Sequence, residues 1–139
     1  MNGDRTVLQD RLTGYGDYTD GDQRANNEER VRAFVGERLS ETRDRLEKEL
    51  GETTAQALEA AILHCQFADM RYIRCLQDAR LDAATVMALE KIDRNLVEAA
   101  ERVCDASAGE LQPLIEQIEA ALNARPVTLE PVASARASG

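Results

Sequence analysis

Residues 54–80, TAQALEAAILHCQFADMRYIRCLQDAR, contain the pattern that decides the fold. Leu58, Ala61, Ile62, Cys65, Tyr72, Leu76 and Ala79 recur at spacings that place them on one face of a helix. Ala60, Leu63, Phe67, Met70 and Ile73 cover much of the remaining circumference. No Gly or Pro interrupts the stretch, so it is expected to run as one helix from Thr54 to Arg80, with Thr53 and Gln56 as a capping box. A helix that is apolar nearly all round belongs in the centre of a bundle.

Upstream, Asn27 to Leu50 reads as an amphipathic helix. Asn26 is its expected N-cap, and Val31, Phe34, Val35, Leu39, Thr42, Leu46 and Leu50 form its stripe. Acid-first pairs such as Glu28–Arg32 and Glu41–Arg45 suit a solvated face. Gly51 is the expected left-handed stop, and the short link to the central helix predicts an antiparallel hairpin. Downstream, Asp82 is the expected N-cap of a helix from Ala83 to Cys104, with Leu89, Ile92, Leu96, Ala99 and Val103 as a coiled-coil-like seam. Glu90–Arg94 and Glu98–Arg102 are expected to decorate its outside. Without Gly or Pro to enforce this junction, one long helix over residues 54–104 is the alternative. A fourth, short helix is expected from Glu110 to Asn123, with Pro113 in its first turn and Pro126 beyond its end.

The expected fold is therefore all-α: an antiparallel bundle of about four helices over residues 26–124. The Gly- and Asp-rich residues 1–25 read as a flexible acidic tail, in which Val7, Leu8 and Leu12 could form one docking turn. Residues 125–139 read as a second flexible tail.

Lys and Arg total 17 against 26 Asp and Glu, a formal charge of -9. Phosphate backbones repel such a surface, so direct nucleic-acid binding is disfavoured. No apolar run approaches the ~20 residues that span a bilayer, and MNGDRTVLQD lacks the apolar core of a secretory leader. Cys65, Cys75 and Cys104 are odd in number, contain no C-x-x-C pair and lie in helical pattern, which suits reduced structural thiols in the cytoplasm.

His64 is the one histidine. Its neighbours one turn away, Ala60, Ala61, Phe67 and Ala68, cannot orient an imidazole as a general base requires. Glu59, five residues earlier, has the wrong spacing for a di-metal carboxylate bundle. The sequence has no phosphate loop, triad or zinc ligand set, so no enzyme activity, cofactor or metal is expected. In size, helical class and single histidine the chain is similar to histidine phosphotransfer domains, which implies His64 as phospho-acceptor. It departs from their pattern where a Lys and then a Gly usually follow: here stand Cys65, Gln66, Phe67 and Ala68.

Other candidates are contact residues. Asp69 falls on the central stripe and is expected to be semi-buried beside an arginine. Arg71 and Arg74 are the positive features of the same stretch. Tyr15 and Tyr18, in the acidic tail, form a candidate docking motif, since tyrosines supply contact area at small entropic cost. Leu63, Phe67, Met70 and Ile73 lie away from the main stripe and form a candidate self-association strip. The expected function is a non-enzymatic protein–protein interaction module that forms homo-oligomers. Phosphotransfer through His64 is one alternative, and a nucleic-acid accessory role is another: a small phage-type DNA-binding subunit or an acidic DNA mimic.

Overall fold

The computed structural model describes residues 3–67 and 69–138, with side chains described as far as Leu129. Six α-helices form among them and no strand: α1 (Gly3–Arg11), α2 (Gly21–Leu46), α3 (Glu52–Gln66), α4 (Met70–Asp78), α5 (Ala83–Asp105) and α6 (Leu111–Ser138), with a 3₁₀ turn at Ala108–Glu110. The all-α expectation holds, but there are six helices where about four were expected.

Contacts set the directions of the long elements. Arg43 of α2 meets Glu59 of α3 while Gly36 lies against Cys65, so these helices run antiparallel. Thr42 and Arg45 of α2 reach the Val103 and Ala106 carbonyls, so α2 and α5 run the same way. Arg125 of α6 returns to Asp93 of α5. Leu39, Leu58, Leu96, Leu111, Ile115 and Ile118 are among the side chains fully enclosed between these helices.

The expected continuous helix over residues 54–80 is broken. Phe67 takes extended geometry after α3, and Asp69 caps α4 by accepting the Tyr72 amide at 3.1 Å. Ala68, within the break, lies outside the described residues. An Asp in an apolar run satisfies orphan amides at a helix start better than it tolerates burial. Asp69 is accordingly exposed and not semi-buried.

The expected flexible tails are also corrected. Residues 3–25 contain α1 and the start of α2, and they bury Leu8, Leu12, Tyr15 and Tyr18 in the core. Asp20, not Asn26, is the N-cap of α2 and accepts the Gln23 amide at 2.8 Å. Gly14, at φ 88°, makes the left-handed turn that redirects the chain between α1 and α2. At the other end, α6 continues through Pro126 and buries Arg125 and Leu129. Residues 1–2 and 139 of the two expected tails lie outside the described residues. Gly51 is not a left-handed stop either: at φ -69° and ψ 160° it is the extended N-cap of α3. Asp82 caps α5 as expected, accepting the Thr85 amide at 2.7 Å.

Candidate functional site

Two features meet where α3 gives way to α4. One is an apolar elbow on the surface, and the other is a layer of buried polar groups beneath it.

The elbow arises from the helix break. Leu63 is in the last turn of α3, Phe67 is its extended C-cap and Met70 opens α4. They are 48%, 72% and 56% exposed, while Ile73, one turn on, is half-buried. Arg71 and Arg74 are exposed on α4. On the outer face of α3, Glu52, Ala55, Gln56, Glu59 and Ala60 form a shallow depression that ends at Leu63.

His64 is half-buried, and its Nδ1 lies 3.1 Å from Glu119 Oε2 of α6. The orienting carboxylate absent from its own helix thus comes from a residue far along the chain. A hollow of about 90 Å3 lies beside it, lined by His64, Phe67, Asp69, Leu122, Pro126 and Arg32, among others. Among the described residues, no group of three His, Cys, Asp or Glu side chains is placed to hold a metal. Cys65 is buried and its thiol is pushed up to about 12 by desolvation, which keeps it protonated and unreactive.

The polar layer lies at the end of the bundle that holds the start of α2, the end of α4 and the first half of α5. Arg24 is buried and donates to the Ala79, Tyr18 and Leu76 carbonyls at 2.6, 2.9 and 3.1 Å. It therefore caps the C-terminus of α4, where carbonyls and the helix dipole favour a cation. Arg125 is fully enclosed. It ion-pairs with Glu28, stands over the Tyr72 ring at 5.4 Å, and brings Nη1 to 3.8 Å from Asp93 Oδ1. Burial lowers the Arg125 pKa to about 10, which leaves it cationic at neutral pH.

Tyr15 and Tyr18 are part of this layer and not an accessible docking motif. Both are about 4% exposed, and both hydroxyls donate to Oδ2 of Asp93, at 2.9 and 2.6 Å. An aromatic ring gains more from burial than from solvation, and the carboxylate satisfies its hydroxyl. Glu90 is likewise buried. Its partner is Arg5 of α1 at 2.6 Å, whereas Arg94 pairs with Glu98 and Asp4. Sequence reasoning placed Glu90 on the outside of its helix and overlooked Asp93 and Arg125. All three lie in or beside apolar stripes, which is the signal that could have found them.

Compared with known proteins, the chain matches no family model, no curated protein and no solved structure.

Proposed function

We propose that this chain is a non-enzymatic helical interaction module that self-associates, docking a second copy on the elbow and the outer face of α3. The observation that carries the reading is the exposure of Leu63, Phe67 and Met70 on successive turns around one helix break. Contiguous large apolar groups on a surface mark contact sites. Charge favours a second copy as the occupant. Glu52 and Glu59 rim the depression on α3, and exposed Arg71 and Arg74 follow the elbow on α4. Groups of opposite charge on either side of the elbow suit pairing between copies, and closed two-fold symmetry is the commonest assembly.

Light scattering over a concentration series tests the reading. The expected mass rises from 15.4 kDa toward about twice that value. Phe67→Glu is expected to hold it at the monomer with unchanged circular dichroism, and Gln9→Glu, exposed on α1, to leave association intact. A monomer mass at every concentration, or a dimer that survives Phe67→Glu, would sink the proposal.

His64 supports a second reading, phosphotransfer, because Glu119 holds its Nδ1 and Arg32, which pairs with Glu28, is among the residues lining the adjoining hollow. In this reading the Nε2 atom takes a phosphoryl group from an acyl phosphate and displaces the carboxylate. Incubation with acetyl phosphate and intact-mass measurement decide it: no acid-labile addition on His64 excludes this chemistry.

A further inference from the structure

Residues 3–20 lie across α5 as a strap. Leu8 and Leu12 are its apolar anchors, and Arg5 and Arg11 pair with Glu90 and Glu101. At its far end the strap turns into the core and fastens on a single carboxylate. The Tyr15 and Tyr18 rings meet edge-on with centroids 6.4 Å apart, and both hydroxyls converge on Oδ2 of Asp93.

The groups facing Asp93 come from every element packed around it. Tyr15 and Tyr18 belong to the strap, Tyr72 to α4 and Arg125 to α6. Glu90 lies one turn earlier on α5 and is engaged by Arg5. Glu28 of α2 takes the charge of Arg125 through the other guanidinium nitrogen, which leaves Asp93 only a distant share of it. Two tyrosine hydrogen bonds replace part of the hydration that an ionised carboxylate would have in water.

We propose that Asp93 is a proton-operated clasp: the strap stays fastened while the carboxyl is protonated and opens more readily once it is ionised. Burial pushes Asp93 up to about 7, against the two tyrosine bonds that favour ionisation. When the strap lifts, Tyr15 and Tyr18 leave and water reaches the carboxyl, whose proton affinity returns toward the ordinary value near 3.8. The closed form is then the one that holds the proton more tightly. Its advantage is complete below about pH 4 and falls as pH rises toward about 7. Above that it is constant, because both forms are ionised. The sole histidine, His64, packs against Glu119 and does not touch the strap, so it does not generate this dependence. Asp17, within the strap, is held below its ordinary range by hydrogen bonds from Thr19 and titrates outside the window.

Amide hydrogen exchange, corrected for intrinsic rates, tests the clasp on peptides from residues 4–20 and from the α2 and α3 core between pH 5 and 8. Strap protection is expected to fall about 50-fold from pH 5 to 7 and about twofold more above that, with strap peptides exchanging faster than core peptides throughout. Asp93→Asn is expected to abolish the dependence. Tyr18→Phe is expected to move its upper limit to higher pH, since the lost bond favours the ionised form. A slope retained in Asp93→Asn, or strap and core exchanging at one common rate, would overturn the proposal. Should Asp93→Asn fail to fold, the carboxyl-carbon resonance of Asp93 in the unaltered protein decides: a midpoint near 7 supports the clasp and one near 4 overturns it.

Discussion

Replacing Arg24 with Met removes the cap from α4 while keeping an unbranched stem of similar bulk. The guanidinium makes three close carbonyl contacts at 2.6 to 3.1 Å and a longer fourth, to Thr19, at 3.4 Å, and is 8% exposed, so solvent screening is slight. At a net contribution of about 1–1.5 kcal/mol each, which already includes desolvation of the cation, the three close bonds total about 3–4.5 kcal/mol. Water reaching the freed carbonyls of Leu76 and Ala79 recovers about 1 kcal/mol. The expected loss is therefore about 3 kcal/mol. In urea, with a slope near 1.5 kcal/mol/M, the midpoint falls by about 2 M. Circular dichroism at pH 7 reads the transition, and amide exchange should show α4 losing protection before α2 or α5. Arg24→Lys is expected to recover less than half of the loss, because an ammonium cannot span carbonyls from both the Tyr18 turn and the end of α4. A loss below about 1 kcal/mol for the Met variant, or full recovery with Lys, would refute the capping argument.

Three further outcomes follow from the same packing. Gly21→Ala would place a Cβ 2.1 Å from the Gln77 carbonyl oxygen, a backbone atom that cannot rotate away; it is expected to cost about 2–3 kcal/mol, whereas Gly3→Ala, with open space around it, stays within about 0.5 kcal/mol. Leu96→Ala, fully buried, is expected to lose about 3–4 kcal/mol in urea unfolding, and Met87→Ala, 59% exposed, under about 0.5. Burial raises the pKa of Tyr15, Tyr18 and Tyr72 above the ordinary value of 10. Because the folded state keeps these phenols neutral, they stabilise it fully below pH 10 and progressively less above it. Tyrosinate absorbance should therefore rise only together with loss of helical dichroism; a rise in the still-folded protein contradicts the buried placement.

The helical class was legible because the stripes are long and regular. The register also contained more than composition suggests. Arg24, Glu28, Val31, Val35, Leu39, Thr42 and Leu46 repeat at four and three along α2, and all are buried. In α5 the seam passes through Leu89, Asp93, Leu96, Ala100 and Val103, while Ile92 is only partly covered. Reading polar residues as solvated hides the layer that these positions build. In α6, Leu111, Ile115, Ile118, Leu122, Arg125 and Leu129 continue the alternation past Pro126. A proline there costs the helix one hydrogen bond, and the burial of Arg125 and Leu129 outweighs it. Leu8, Leu12, Tyr15 and Tyr18 share a similar spacing, yet the Gly and Asp around them read as a tail. The exposure of Leu63, Phe67 and Met70 matches their separation from the main stripe. The pairing of His64 with Glu119 was not legible, because it depends on how two helices far apart in sequence come together.

The strap also bears on the order in which the chain can fold. The partners of Arg5, Tyr15 and Tyr18 lie 75 to 85 residues further along. At ribosomal rates of roughly 5–20 residues per second, about 4 to 17 s separate synthesis of the strap from that of its binding site. During that interval Leu8 and Leu12 have no native surface to cover them, and nine-residue α1 is too short to persist alone. Closure therefore waits for α5, so the strap is made well before the surface that receives it and is among the last segments of this fold to find its place.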